Sequence, residues 1–361
     1  MKFSVSRNRH TFLASVAKKT AVPMIAVGML SSASLAQAEP AYRIAWTIYA
    51  GSIPLGYAQD HGILAKWGDK YGFDLEAVQL NDYIEAQTQF AAGQFDAVVA
   101  ISLDALTIPA ASGVDTTAVT LMSNSAGSDG MIVRDDIQSI ADLKGKSVNL
   151  VELSGSHYLL ARALSENGMA ERDVSVVNTS DADIGAVFSD PSTEVVVTWK
   201  PQLSSILEQY PDTHVLFDSA SLPGEITDVM AVHTDTLAEN PDLGKALVGA
   251  WYEVVDMLSP DNPNHDALMA YSAEALQTSV ASVEAQLNTI DFYTPESAAA
   301  AVQSDQFAST MRFMSDFAFE HGLLGEGAPD ANFVGVELGS GEILGDDGNV
   351  QLRFPTRWVV E

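Results

Sequence analysis

The chain has 361 residues, 48 acidic against 18 basic side chains, a formal charge of −30 and no cysteine. That balance argues against a nucleic-acid partner, because polyanions repel one another, and zero cysteine excludes disulfides, thiolate zinc sites, cysteine nucleophiles and a lipid-modified N-terminal cysteine. With 47% hydrophobic residues the chain can bury a core, and its length suits two domains.

Residues 1–38 hold five basic residues (Lys2, Arg7, Arg9, Lys18, Lys19) and no acidic one. The apolar run Ala21 to Leu30 and the ending Ala36-Gln37-Ala38 complete the pattern of a cleaved export signal. The run is too short to span a bilayer, which takes about 20 residues. The expectation is a periplasmic protein, secreted by a cleaved signal peptide.

From there strands and helices alternate. Arg43 to Ile48 reads as a strand, Pro54 to Asp60 as a helix closed by His61-Gly62, and Asp74 to Leu80 as a strand. A helix from Asp82 to Ala92 ends at Gly93, the apolar strand Asp96 to Ile101 follows, and then a helix from Asp104 to Ser112. A second unit starts near residue 140. It has strands at Ser147–Glu152, Val174–Asn178, Glu194–Thr198 and His214–Phe217, with helices after Ser154, over Asp181–Phe188 and over Pro201–Gln209. The chain returns through Ile226–His233 and becomes helical up to His321.

This rhythm predicts an α/β fold of two lobes, each a mixed sheet flanked by helices, joined by two hinge crossings. The expected division is 39–127 plus 229–330 for the first lobe and 128–228 for the second. A tail of turns and a hairpin covers 331–361. Ligands of such sheets sit at the carboxyl ends of strands. The candidate ligand-binding residues are therefore Trp46, Tyr49, Asp82, Ser102, Asp104, Asp129, Glu152, His157, Trp199 and Asp228. Asp82 and Asp104 stand equally well as helix caps, and Trp46 and Trp199 equally well as core. Together they describe a cleft where carboxylates outnumber the one cation, Lys200, and where aromatics from both lobes can sandwich a planar or cationic group. No nucleophile elbow, metalloprotease helix, phosphate loop or dinucleotide fingerprint occurs. No enzyme activity, cofactor or metal is expected.

Three stretches carry a resemblance: Gly51-Ser-Ile-Pro-Leu-Gly-Tyr-Ala-Gln-Asp-His-Gly-Ile63, Ala92-Gly-Gln-Phe-Asp-Ala97 and Ile140-Ala-Asp-Leu-Lys-Gly-Lys-Ser-Val148. In that order they resemble the nitrate/sulfonate/taurine-type solute-binding proteins of ABC importers. Leu106-Thr-Ile-Pro-Ala-Ala111, Asn149-Leu-Val-Glu-Leu-Ser154, Ser156-His-Tyr-Leu-Leu-Ala-Arg162, Val177-Asn-Thr-Ser-Asp-Ala-Asp183 and Val197-Thr-Trp-Lys-Pro-Gln-Leu203 look like the branch associated with urea carboxylase. The resemblance implies a monomer that captures a small nitrogen-rich solute, urea or guanidinium, and delivers it to an inner-membrane ABC permease. Pyrimidine-precursor synthases of the thiamine pathway share the fold but carry a cysteine-rich iron motif, which this chain lacks. Lys200 departs from the branch and keeps a small anion (taurine, sulfonate or nitrate) open as ligand. An enzyme on the same scaffold and a sensor lobe for a receptor stay open beside the transport reading.

Overall fold

A computed structural model describes residues 41–358. The leader assigned to residues 1–38 lies outside the described residues. Fourteen strands are formed among those described: β1 Ala41–Thr47, β2 Asp74–Leu80, β3 Ala97–Ile101, β4 Thr116–Ser125, β5 Asp129–Arg134, β6 Ser147–Leu150, β7 Ser175–Asn178, β8 Val195–Trp199, β9 Thr213–Asp218, β10 Thr227–His233, β11 Ile290–Phe292, β12 Gly335–Glu337, β13 Ile343–Leu344 and β14 Val350–Arg353.

They make two mixed sheets. The larger runs β13-β12-β14-β4-β10-β3-β1-β2, with β11 also paired to β4; the smaller runs β7-β6-β8-β5-β9. β1, β2 and β3 are parallel, while β10 lies antiparallel between β3 and β4. In the smaller sheet β5 runs antiparallel to both β8 and β9. The chain passes from the larger to the smaller sheet at residues 126–128 and returns at 219–226. All ten residues of β4 are buried, so the strand leading to the first crossing is held along its whole length.

The structure departs from the sequence expectation in several places, among them the strand β11 within the stretch expected to be helical. An unexpected helix at Ile63–Tyr71 begins and ends at glycines with φ of 71° and 82°. Gly62 stops one helix and starts the next, and no apolar stripe longer than two turns advertises the second. The expected helix 104–112 is a short turn, Ser102–Ala105, followed by the wide π turn Leu106–Ala110; Pro109 has no N–H to close an α turn there. β5 is likewise unexpected, because its start beside Gly127 and Gly130 looks like linker. The C-terminal segment holds the expected hairpin, β12 with β13, but it also joins the larger sheet, because β14 pairs parallel with β12 and β4.

One hydrophobic cluster is continuous across both lobes. It joins Ala45, Val98 and Leu121 beside the larger sheet to Met131, Val133 and Val148 of the smaller, through Met311, Met314 and Phe317 of the helix Asp305–Glu320. No helix among the described residues is long and apolar enough to cross a membrane.

Candidate functional site

An internal cavity of about 40 Å³ lies between the sheets. Its wall follows from register. β10 runs against β3, so Asp228 at its start faces Ile101 at the end of β3. β5 runs against β8, so Asp129 at its start faces Trp199 at the end of β8. Antiparallel neighbours thus bring the first residues of two strands to the carboxyl ends of the others. Thr47, Tyr49 and Ser52 enter after β1, Tyr83 from the first turn of the helix Tyr83–Ala91, and Gly155 from the start of the helix Gly155–Glu166.

The polar groups are carboxylates and hydroxyls. Ser125 Oγ donates to Asp129 Oδ2 at 2.5 Å, and Ser123 Oγ donates to Asp228 Oδ2 at 2.6 Å. Tyr83 Oη donates to Asp104 Oδ2 at 2.6 Å and accepts from the Ile101 N–H at 3.0 Å. Asp104 stands directly behind the wall formed by Tyr83. Asp104 Oδ1 is buried with no protein partner. A buried polar atom left so costs about 1–3 kcal/mol, and it is the kind of group a ligand satisfies.

Burial pushes Asp104 and Asp228 up to about 7 and Asp129 up to about 6. The hydroxyl donors oppose these shifts, and the charge of Asp129 adds to that on Asp228. The Tyr49 phenol rises well above its ordinary value, through burial first and then through Asp228 and Asp129. Among the described residues no Lys or Arg lines the cavity. Lys200 stands close enough to lower Asp129, but its Nζ donates to Thr289 Oγ1 at 2.8 Å, and burial lowers its own affinity for a proton.

Of the residues expected from sequence, Tyr49, Asp129, Trp199 and Asp228 line the cavity, with Asp104 one hydrogen bond behind. The other five stand elsewhere. Trp46 is core: a Cβ added at Gly56 would come within 2.8 Å of its ring, so it packs under the helix Ile53–Asp60. The alternation of β1 turns its neighbour Thr47 to the cavity instead. Asp82 caps a helix, accepting from the Glu85 N–H at 2.8 Å, and with exposed Glu152 it borders a separate, outer hollow. Ser102 Oγ is turned to Met314 Sδ at 3.7 Å. His157 points away, toward Glu171 and His321.

The aromatic partner of Trp199 is Tyr83, with ring centroids 5.7 Å apart and planes at 61°. Tyr83 was not among the expected residues, because the capping aspartate just before it is the stronger local feature. An aromatic at the first position of a helix that follows a strand end was the available signal. Asp181, from the smaller lobe, meets the Tyr83 N–H at 3.4 Å and is pushed up to about 6 by burial.

The family described as NMT1/THI5 like matches residues 52–261. A binding protein of Brucella abortus is 26% identical over 321 residues, which cover 88% of this chain and 94% of that one. The alkanesulfonate-binding protein of Xanthomonas axonopodis pv. citri, solved with MOPS bound, superposes with a TM-score of 0.67 at 19% identity, covering 80% of this chain and 96% of that one. The periplasmic nitrate-binding protein of Synechocystis superposes with a TM-score of 0.61 at 12% identity, covering 82% and 85%. The architecture is the two-lobe α/β fold of the periplasmic binding proteins.

Proposed function

This chain belongs to the NMT1/THI5-like family, and from that premise we propose that it is the solute-capturing component of an ABC importer. On this reading it works in the periplasm after removal of residues 1–38, acts as a monomer, and performs no chemistry on its cargo. The segments 126–128 and 219–226 serve as the hinge between the lobes. Closure buries one small solute, which a permease then receives when the lobes reopen.

We further propose that the solute is a small planar cation rich in N–H donors, of guanidinium type, with neutral urea as its near relative. The observation that carries this is the pair Asp129 and Asp228 in the cavity wall, backed by Asp104, with no Lys or Arg among the described residues that line it. A cation restores the ionised form of carboxylates that burial alone has driven toward neutrality. Its N–H groups find charged acceptors worth about 1.5–3 kcal/mol each. Tyr83 and Trp199 offer ring faces for stacking and cation–π attraction. The cavity lies far below the roughly 300–1,000 Å³ of a site for drug-sized ligands, which suits a solute of few atoms.

A second reading has its own support. The structural relatives named above bind an alkanesulfonate and nitrate, and protonated Asp104 and Asp228 can donate hydrogen bonds to an anion. Calorimetric titration of the chain from residue 39 with guanidinium, urea, taurine and nitrate separates the two. Tighter binding of guanidinium supports the cationic reading. Tighter binding of taurine or nitrate overturns it and leaves the importer assignment in place.

A further inference from the structure

Away from the cavity, three side chains from two lobes meet at one oxygen. His157 opens the helix Gly155–Glu166 and Glu171 begins the short turn before β7, both in the smaller lobe. His321 caps the C-terminal end of the helix Asp305–Glu320. That helix joins the larger lobe, where Phe307 packs edge-on to Phe354 at 4.9 Å and Met314 accepts from Ser102, and it also rests on the smaller lobe, where Phe317 packs edge-on to Tyr158 at 5.1 Å. His321 Nε2 lies 2.8 Å from Glu171 Oε1, and His157 Nε2 lies 3.2 Å from the same atom.

The other ring nitrogens decide where the protons are. His321 Nδ1 stands 2.7 Å from the Phe317 carbonyl oxygen. A carbonyl only accepts, so Nδ1 carries a proton. Nε2 faces the Glu171 carboxylate and carries the second, which makes His321 an imidazolium. The helix C-terminus favours that charge, and the ring stacks on Phe317 with centroids 4.1 Å apart. His157 is the reverse case. Its Nδ1 is 3.1 Å from the Leu153 N–H, and a backbone N–H only donates, so Nδ1 is bare and the proton sits on Nε2. A metal ion at this cluster needs the Nε2 lone pair of His157, which that tautomer does not offer.

We propose that His157, Glu171 and His321 form a proton-linked latch between the two lobes, closed while His321 is an imidazolium and released when it loses its proton. The proposal rests on the two-lobe binding reading and on nothing about which solute is bound. Facing His321 are Glu171 and Arg172 from the turn, His157 and Arg162 from the helix Gly155–Glu166, and Asp316 and Glu320 from its own helix. The net effect raises His321 above 6.5, with Glu171 the largest cause, and lowers Glu171 from 4.5 to about 2. The Glu171 contribution is complete above its unfolded value of 4.5 and fades as pH falls toward about 2. The His321 contribution is complete below 6.5 and fades as pH rises through its raised value. The latch holds in the window between.

A chain without native cysteine permits a direct test on solute-free protein. Ser205→Cys in the smaller lobe and Ala267→Cys in the larger are exposed positions for a pair of spin labels. Their distance distribution is recorded from about pH 5 to about pH 8.5, a range that brackets histidine titration, and His321 is followed by NMR in the same samples. We expect a longer-distance population that grows as His321 deprotonates. Glu171→Gln should show that population at every pH and bring the His321 titration back toward 6.5; His321→Gln serves as the second variant if Glu171→Gln does not fold. Distances that ignore pH in the parent and in the variants overturn the latch. So does stoichiometric zinc binding that abolishes the His321 titration, which would make the cluster a metal site. Because no solute is present, failure here leaves the proposed cargo untouched, and failure of that cargo leaves the latch untouched.

Discussion

Asp228 and Glu171 are carboxylates held between the same two lobes, one in the wall of the cavity and the other wedged between two imidazoles. Asp228 is partly buried, has one serine donor and lies near a second carboxylate, and it is pushed up to about 7. Glu171 is also taken partly out of water, yet it is held down at about 2 by His157 and His321. Burial acts in the same direction on both. The partner decides the sign. A carboxylate paired with imidazoles is held ionised, whereas one buried without a cation is driven toward neutrality, and this difference separates the His157–Glu171–His321 cluster from the cavity wall.

The sharpest way to break that comparison is to remove a cavity carboxylate. Asp228→Asn should weaken guanidinium binding by about tenfold to a hundredfold, the value of one charged acceptor. Unchanged calorimetric affinity would show that Asp228 never meets the solute. Next comes the pH profile of that affinity. Guanidinium binding should strengthen as pH rises through about 6 and about 7, where Asp129, Asp104 and Asp228 ionise, by up to about tenfold per pH unit for each carboxyl in its titration range. A flat profile over that span contradicts the assignment of those groups to the site.

Stability offers a smaller effect of mixed sign. The three raised aspartates bind protons in the folded chain that the unfolded chain releases, so their contribution to solute-free stability falls as pH rises from 3.8 toward about 7. Glu171 acts the other way, since its stabilisation is lost as pH falls below 4.5. Urea unfolding of Glu171→Gln should therefore lose about 1–3 kcal/mol near neutral pH, and below pH 4.5, where only the parent loses the Glu171 contribution, it should show a steeper gain on acidification than the parent. Parallel profiles would mean that Glu171 is not ionised in a pair. A change of similar size is expected from Tyr83→Phe, which takes a donor from Asp104 and an acceptor from the Ile101 N–H. It should cost about 1–3 kcal/mol in the solute-free chain, and a neutral result would show that water replaces the phenol.

Much of the cavity wall was legible because it follows from strand ends. Trp199, Asp129 and Asp228 lie at the termini of apolar runs that alternate with helices, and that spacing is written in the sequence. Trp46 and Tyr83 show the limit. Both are aromatics next to strand or helix ends, but the face a side chain takes depends on where β1 sits against the helix Ile53–Asp60, and Gly56 there leaves room for the Trp46 ring. Asp82 and Glu152 sit at the right ends of the right elements and still face outward.

Alternation of apolar strands and amphipathic helices, glycine at helix ends and the −30 charge are local properties. They determined an acidic α/β chain with two sheets and the strand ends that form the cavity wall. Which carboxylates share a cavity, and which one finds imidazoles, depends on pairs far apart in sequence: Asp129 with Trp199, Ile101 with Asp228, Glu171 with His321. Register and lobe packing set those distances, and a carboxylate's charge state depends on its neighbours within a few ångströms. Only the tertiary structure could therefore tell the open acidic site from the closed one.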